Sequence, residues 1–270
     1  MGYEETMAVA QAGYHVIMAC YCPSVAEEKR QRVMAATGNT HIEILALDLS
    51  NLQLVREFVT QVRTRVQHLD LLMNNAGTME PGLHRTVDGL ERTVSVNYVG
   101  PYLLTRLLLP LMSAGSRIVN MASCVYAIGH LSFPDFFTRG RKGFFQRIMV
   151  YSNSKLAMTL FSLDLAERLR DKGITVNAVD PGVVDTEIIR MQMFFDPLTD
   201  LIFRPVIRTP REGADTAIRL LLEPEKEGVT GQFWRTNRII KLTDKYRRHK
   251  QMHQLWDETE KIVGLQGISL

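Results

Sequence analysis

The sequence has few cysteines, little excess charge and no long apolar run. Its 270 residues include three cysteines, Cys20, Cys22 and Cys124, which are too few for a disulfide framework and favour a reducing compartment. No second cysteine or histidine pair lies near Cys20 and Cys22, so the sequence predicts no metal site. The net charge of +3 is too small to indicate nucleic-acid binding.

The apolar segments are also too short for a membrane span. None reaches the roughly 18 to 20 residues that cross a bilayer. Glu4 and Glu5 stand where a signal peptide would carry basic residues. We therefore expect a cytoplasmic protein. Basic residues between Arg235 and Lys250 leave contact with an anionic membrane surface as an alternative, although a solvated helix face is favoured.

Apolar strands alternate with helical patterns along the chain. Continuous apolar runs lie at 14–20, 41–50, 69–73, 116–123 and 174–179, and helical periodicity lies between them, including 52–66 and 87–112. This pattern predicts a single-domain, doubly wound α/β fold over residues 1–270, with a mostly parallel sheet covered on both faces. In such sheets ligands lie beyond the carboxyl ends of the strands.

Tyr151 and Lys155 form a candidate catalytic pair. They lie four residues apart in a helical pattern, which places them on one face. An ammonium group stabilises a phenolate and lowers the tyrosine pKa from roughly 10, so Tyr151 would exchange a proton with a substrate oxygen. A tyrosine and a lysine at this spacing also occur by chance on many helices, and the pair alone does not establish catalysis.

Other polar residues follow or face the predicted strand ends. Asn74-Asn75-Ala76-Gly77 ends one strand with small residues that let a flat ligand approach, although the same residues make ordinary turns. Ser123 ends the next strand, where its hydroxyl would bind a substrate oxygen or simply cap a helix. Asn97 lies within an apolar helical pattern, where asparagine is mildly unfavourable. Two interpretations are open: a buried polar bridge, or an ordinary exposed helix residue.

Several stretches together resemble the short-chain dehydrogenase/reductase family. They are NNAG (74–77), SVNYVGPYLLT (95–105), RIVNMAS (117–123), YSNSK (151–155) and VNAVDPGVVDTEI (176–188). Each is weak alone, but they occur in the family's order and cover nearly the whole chain. TVDGLERTVSVNYVG and the Leu255-Trp256 helix are most similar to the retinol-dehydrogenase-like branch. The resemblance implies a Rossmann-like fold and hydride transfer between a nicotinamide cofactor and an alcohol or carbonyl of an apolar substrate.

The resemblance also implies the roles of individual residues. Tyr151 is the general acid/base, and Lys155 lowers its pKa and binds the nicotinamide ribose. Ser123 binds the substrate oxygen, and Asn97 holds a water that links Lys155 to solvent. The implied cofactor trough comprises Gly2, Tyr21, Asp48, Leu49, Asn74, Ala76, Gly77, Tyr151, Lys155, Pro181, Gly182 and Thr186. A homodimer through the helices bearing Asn97 and Tyr151 is a further option.

Two apolar segments are candidates for the substrate site. Residues 189–207 correspond to the family's substrate lid, and their methionine and phenylalanine content indicates an apolar substrate. The stretch 133–147 carries four phenylalanines (Phe136, Phe137, Phe144 and Phe145) and would form the opposite wall. Both segments are equally compatible with ordinary core packing.

The beginning of the chain departs from the family pattern. Met1-Gly2-Tyr3-Glu4-Glu5-Thr6 aligns with the last glycine of a T-G-x-x-x-G-x-G turn, so the first strand and most of the phosphate loop are missing from the sequence. That strand would lie between the strands at 14–20 and 69–73, and unpaired buried backbone groups cost about 1–3 kcal/mol each. We favour a fragment or misassigned start over a truncated inactive variant or a partner that fills the gap.

Cofactor choice is a second departure. The strand at 14–20 leads into Cys20-Tyr21-Cys22, which offers neither the acidic residue typical of NAD selectivity nor a basic one. We expect NADP, with Lys29 or Arg30 as helpers and NAD as the alternative. A non-catalytic scaffold of the same fold is the main alternative function. An epimerase or dehydratase ranks last, because the chain is short for a second substrate domain.

Overall fold

The computed structural model describes residues 1–138, 143–184 and 208–270. Its strands are β1 (Val16–Cys20), β2 (Ile42–Ala46), β3 (Leu71–Asn74), β4 (Arg117–Met121), β5 (Thr175–Asp180), β6 (Phe233–Arg235) and β7 (Arg238–Ile239). Its helices are α1 (Gly2–Gln11), α2 (Pro23–Thr37), α3 (Leu52–Arg65), α4 (Arg92–Val94), α5 (Gly100–Leu108), α6 (Phe144–Arg168), α7 (Pro210–Leu222), α8 (Asp244–Arg247) and α9 (Met252–Val263). The alternation confirms the predicted doubly wound α/β fold.

Within these residues the strands form two sheets. β1 pairs in parallel with β2 alone, while β3, β4, β5 and β6 pair in parallel in that order and β7 is antiparallel at the edge. The break falls between β1 and β3, the position at which the resemblance to the family predicts a further strand. The break leaves one edge of β1 and one edge of β3 without a strand partner among the described residues.

The two faces of the sheets bury different helices. The larger core lies against α3, α5 and α6 and includes Phe58, Tyr102 and Leu160. The opposite face carries α7, whose Leu220 and Leu221 pack on β4 and β5. Because the strands are covered on both sides, they contain the continuous apolar runs seen in the sequence.

The predicted helix at 87–112 is divided and shorter. Glu91 caps α4 by accepting a hydrogen bond from the amide of Val94, a π-helical turn covers Ser95–Val99, and α5 begins at Gly100. A Cβ on Gly100 would lie 2.4 Å from the carbonyl oxygen of Leu49, so only glycine permits this contact between α5 and the loop after β2. The segment before Glu91 forms a turn, with the Thr86 amide bonded to the Leu90 carbonyl.

The phenylalanines of the predicted second wall are divided between the core and the surface. Phe136 and Phe137 are buried and pack against one another with ring centroids 4.8 Å apart. Phe136 also contacts Tyr98 of the main core, so these two rings do not form a wall. Phe145 is exposed, residues 139–142 lie outside the described residues, and so does the proposed lid at 189–207.

Candidate active site

Helix α6 brings Tyr151 and Lys155 to the end of β4. The side chain of Lys155 is buried, and its Nζ donates a hydrogen bond to the carbonyl oxygen of Met121 at 2.9 Å. The same Nζ lies 5.6 Å from the centroid of the Tyr151 ring. The helical spacing therefore predicted correctly that the two groups share a face, and the sheet supplies the acceptor that holds the ammonium group.

Ser123 meets the same pair from the strand side. It follows β4 in an extended conformation, and its hydroxyl lies close enough to the Tyr151 phenol to lower the pKa of that group. The turn after it packs closely on α6, since a Cβ on Gly129 would lie only 2.5 Å from the carbonyl oxygen of Ser152. This close approach sets the position of the serine loop relative to the phenol.

Burial dominates the protonation of the pair. It raises the pKa of Tyr151 to about 12, opposed in part by the hydrogen bond from Ser123. It lowers the pKa of Lys155 to about 8, opposed by the carboxylate of Asp180. The expectation of a lowered tyrosine pKa is therefore wrong for this structure, because removing water from the phenolate outweighs nearby stabilisation.

Asn97 joins the loop after β3 to α6. Its Oδ1 accepts from the Thr78 amide at 2.7 Å, and its Nδ2 donates to the Thr78 carbonyl and to Ser154 Oγ, both at 2.9 Å. The π-helical turn places this amide inside the protein rather than on the surface. These contacts position the loop that contains Gly77 beside Lys155. The water that would link Lys155 to solvent through Asn97 stays a prediction.

Gly77 leaves the approach to Lys155 open. A Cβ at this position would lie 3.4 Å from both Asn97 Oδ1 and Lys155 Nζ. A side chain would thus occupy the space in front of the ammonium group. The small residue and the buried cation fit the ribose and nicotinamide half of a dinucleotide, which needs close backbone approach.

Two predicted trough residues turn their side chains into the protein. Asn74 Nδ2 donates to Thr105 Oγ1 at 2.9 Å and to Asn120 Oδ1 at 2.7 Å. Leu49 is buried, and its carbonyl accepts from Ser95 Oγ at 3.2 Å. Any ligand contact of these residues is therefore made by the backbone.

Asp48 ends the strand run at β2 with its carboxylate engaged locally. Its Oδ1 accepts from the Ser50 amide at 2.8 Å and from Ser50 Oγ at 2.6 Å. Ala76, by contrast, is exposed along the loop after β3. The end of the trough near β2 is thus formed by small residues and by the Asp48 carboxylate, which is already hydrogen-bonded to Ser50.

The loop after β5 contains a charged group that sequence reasoning did not assign. Asp180 is 1% exposed, accepts from Arg235 Nε at 2.5 Å, and accepts from the Gly182 amide at 3.0 Å. Its carboxylate raises the pKa of both Tyr151 and Lys155. Pro181, the residue after Asp180, is buried, and Gly182 has a φ of +79°. Thr186 lies outside the described residues.

The far end of the trough offers less to a cofactor. Gly2 begins α1, where a Cβ would lie 3.0 Å from Asn75 Nδ2, and this helix start has orphan amides suited to phosphate. Two acidic residues, Glu4 and Glu5, occupy its first turn and oppose an anion there. The residues therefore fit the nicotinamide half of the cofactor better than the pyrophosphate half.

Arg92 is a cation near the end of β1 that the sequence did not single out. Its guanidinium lies 6.0 Å from the centroid of the Tyr21 ring, which is 69% exposed. Of the predicted helpers, Arg30 is bonded to Glu27 at 2.7 Å, whereas Lys29 lines the cavity beside β1. The cations near this strand end are thus Lys29 and Arg92, and Arg92 is itself paired with Glu80, with Nε and Oε1 3.4 Å apart.

Two further sequence expectations concern metals and membranes. In the ranges that the structure describes, no group of at least three His, Cys, Asp or Glu side chains is arranged to hold a metal ion. The helices in those same ranges are too short or too polar to cross a bilayer.

Comparisons with known proteins match this chain along most of its length. The family model described as Enoyl-(Acyl carrier protein) reductase matches residues 1–237. Retinol dehydrogenase 11 of Mus musculus is 34% identical over 98% of this chain and 83% of its own length. Retinol dehydrogenase 14 of Homo sapiens is 35% identical over the same shares.

Solved structures share the fold. A blue fluorescent protein from a metagenomic library, in complex with NADPH, aligns with a TM-score of 0.68 and 26% identity, covering 86% of this chain and 90% of its own. A short chain dehydrogenase from Burkholderia cenocepacia, in complex with NADP, has a TM-score of 0.64 and 23% identity, covering 86% and 92%.

Proposed function

Because the chain belongs to the short-chain dehydrogenase/reductase family, we propose that it is an NADP-dependent oxidoreductase acting on an alcohol or carbonyl of an apolar substrate. One observation carries the proposal: Ser123, Tyr151 and Lys155 meet at the end of β4. Gly77 leaves the space before them open. A hydroxyl, a phenol and an ammonium group there can bind and protonate a substrate oxygen.

The cofactor and the residues of the site would supply different parts of the reaction. When bound, the nicotinamide supplies or accepts the hydride, and the protein orients it and handles the proton. Lys155 and the backbone around Gly77 would hold the ribose, and Pro181 and Gly182 would flank the nicotinamide. Asn97 positions the Gly77 loop through Thr78.

The protonation state suits carbonyl reduction. With a pKa of about 12, Tyr151 carries its proton at neutral pH and can donate it to a carbonyl oxygen held by Ser123. Alcohol oxidation needs the phenolate, which burial disfavours. Lys155, with a pKa of about 8, remains mainly cationic at pH 7 and stabilises the phenolate that forms after transfer.

NADP is the proposed cofactor. The end of β1 carries no acidic residue to bind a free ribose 2′-hydroxyl, while Lys29 and Arg92 place positive charge nearby. The similar structure at 26% identity was solved with NADPH. These observations favour a cofactor with an additional phosphate, and NAD is the alternative.

The proposed substrate is apolar. The curated relatives are named retinol dehydrogenases, so retinol and retinaldehyde are the first compounds to test. Next to Ser123, the Tyr126 ring packs on Phe233 and Tyr246 at centroid distances of 4.8 and 4.9 Å. This aromatic cluster forms an apolar wall beside the site. The lid at 189–207, the cytoplasmic location, membrane-surface contact and a homodimer remain predictions.

Substituting one hydroxyl tests the proposal. Tyr151→Phe should lower kcat for NADPH-dependent retinaldehyde reduction by about 10²–10⁴-fold, the usual contribution of a positioned acid. Tyr98→Phe is the matched control: it removes a buried hydroxyl bonded to Thr259 at 2.8 Å, and it should retain turnover. Full activity of Tyr151→Phe in the same assay would overturn the assigned mechanism.

A non-catalytic scaffold is the second candidate. The break between β1 and β3 supports it, because the phosphate-binding part of the trough is less complete than the nicotinamide part. Fluorescence titration with NADPH and NADH separates the two functions. Saturable quenching or enhancement by NADPH supports the enzyme, whereas no response to either cofactor supports the scaffold.

A further inference from the structure

A buried carboxyl group lies in the first turn of α1, at the phosphate end of the proposed cofactor trough. Glu5 is 4% exposed, and its Oε1 has no hydrogen-bond partner among the described residues. Its side chain lines a cavity of about 720 Å³ that is also lined by Gly2 and Ala76 of the trough. Buried polar atoms without a partner are rare in folded proteins, so this carboxyl group needs an explanation.

The start of α1 is close to this carboxyl group. The first helical residue is Gly2, three positions before Glu5, so the two lie about 4.5 Å apart along the helix axis. The amides of Gly2 and Tyr3 have no acceptor within the helix. Those of the next two residues already bond to the Met1 carbonyl, at 2.7 and 3.1 Å. An anion bound at the free amides would therefore lie within about one helical turn of the Glu5 carboxyl group.

Asn75 borders the helix start from the loop after β3. A Cβ on Gly2 would lie 3.0 Å from Asn75 Nδ2, and Asn75 lines the same cavity. Its Oδ1 is buried and has no partner in the described part of the chain. The Nδ2 of Asn75 thus adds a donor beside the free backbone amides, in a space where a second polar side chain is left without its full set of partners.

The ionisation of Glu5 decides whether an anion is tolerated at this helix start. An ionised carboxylate repels a phosphate at such short range, whereas a protonated carboxyl group is neutral and can donate its proton in a hydrogen bond to a phosphate oxygen. Burial raises the pKa of Glu5 to about 7, opposed in part by the amine of Met1. Both forms of the side chain are therefore populated close to neutral pH.

Other charged groups surround Glu5 on several elements. Glu4, in the same turn, is paired with Arg211 of α7, with Oε2 and Nη1 3.7 Å apart. The remaining titratable side chains that line the cavity are those of His15, Cys20, Cys22, Lys29, His68 and Asp70, and the phenols of Tyr3, Tyr14 and Tyr21. Each of these groups can add a pH dependence of its own, so a test must compare variants that differ at a single carboxyl group.

We propose that Glu5 couples binding of the dinucleotide pyrophosphate to the uptake of one proton, so that cofactor affinity falls as the pH rises through neutrality. Because it places a nicotinamide dinucleotide in the trough, this role of Glu5 rests on the proposed function. A phosphate at the start of α1 favours the protonated carboxyl group, and the protonated form in turn accepts the phosphate without repulsion. The proton comes from solvent and binds reversibly to a Glu5 oxygen.

Cofactor titrations at several pH values test the proposal. The dissociation constant of NADPH is measured by fluorescence with the full chain at pH 6, 7 and 8. If only the protonated carboxyl group accepts the pyrophosphate, a pKa of about 7 makes the Kd about tenfold higher at pH 8 than at pH 6. NADH shares the pyrophosphate but lacks the 2′-phosphate, so it should show the same ratio.

Two variants of nearly unchanged shape assign the effect to one carboxyl group. Glu5→Gln cannot ionise, so its Kd should vary less than about twofold over this range and should be about tenfold below that of the parent protein at pH 8. Glu4→Gln removes a carboxylate of the same turn that is already paired with Arg211, and it should keep the parent ratio. Both variants retain the Met1 amine and the histidines, so any pH dependence that survives in Glu5→Gln belongs to those groups.

The carboxyl group is also titrated directly. Carbon NMR of the labelled Glu5 carboxyl should give a midpoint of about 7 in the free protein. With saturating NADPH the midpoint should move above about 8, because the bound pyrophosphate favours the protonated form.

Three results would overturn the proposal while leaving the proposed oxidoreductase in place: an ordinary glutamate midpoint, the same ratio in Glu5→Gln as in the parent protein, or a ratio confined to NADPH. Binding with the expected pH dependence but without turnover of any carbonyl compound would instead overturn the proposed function alone. Absence of NADPH and NADH binding at all three pH values would overturn both.

Discussion

Replacing Lys155 with methionine should stabilise the fold while removing activity. The ammonium group is buried and is held by one carbonyl hydrogen bond. Burial lowers its pKa from 10.5 to about 8, so between those values the unfolded chain binds more protons than the folded one. Stability therefore rises with pH across this window, and the full cost of the buried charge is present below about pH 8.

The size of the effect follows from that pKa. The fall from 10.5 to about 8 corresponds to about 3 kcal/mol at neutral pH, since one pKa unit is about 1.4 kcal/mol. Removing the amine also removes its hydrogen bond to Met121, which contributes about 1 kcal/mol. Lys155→Met should therefore stabilise the protein by about 2 kcal/mol at pH 7. For a chain of this size the melting temperature should rise by about 4–8 °C.

Thermal melts at pH 7 and pH 10 measure this directly. The difference between Lys155→Met and the parent protein should be large at pH 7 and should shrink toward pH 10, where the amine is neutral in the fold. Lys250→Met, at an exposed position, is the matched control and should change neither value appreciably. A variant that is less stable at pH 7, or equally stabilised at both pH values, would refute the reasoning.

Two further substitutions test the loops that flank the site. Gly129→Ala places a Cβ 2.5 Å from the Ser152 carbonyl oxygen. It should therefore lower the free energy of unfolding by about 1–3 kcal/mol, measured by denaturant titration. It should also reduce kcat, measured by retinaldehyde reduction. Gly82→Ala meets no atom closer than 3.6 Å and should be neutral; equal losses in both would contradict the packing argument. Asp180→Asn removes a carboxylate that raises the pKa of both Tyr151 and Lys155, so the alkaline limb of kcat/KM for reduction should move to lower pH. An unmoved limb would exclude that electrostatic role.

Much of the site was accessible from local patterns. The spacing of Tyr151 and Lys155 determined that they share a face of α6, because helical geometry is local. The position of Ser123 directly after an apolar strand determined that it lies at the carboxyl edge of the sheet. The apolar alternation likewise determined the α/β class, whereas the place of the break between β1 and β3 followed from the resemblance to the family.

Other properties depended on contacts between distant parts of the chain. The pKa of Tyr151 is raised rather than lowered, because the elements that cover α6 remove water from its phenol. Asn74 turns inward because Thr105 and Asn120 supply partners 31 and 46 residues away. Arg92 reaches Tyr21 only when α4 packs beside the end of β1.

Sequence alone determined which side chains share a helix face or a strand end, since those relations follow from the repeat of a single element. The tertiary structure decided which groups lose water, which carboxylate stands near the phenol, and which strand edges face one another across the break between β1 and β3. These properties depend on how separate elements are arranged, and hydration and backbone pairing follow from that arrangement rather than from any local pattern.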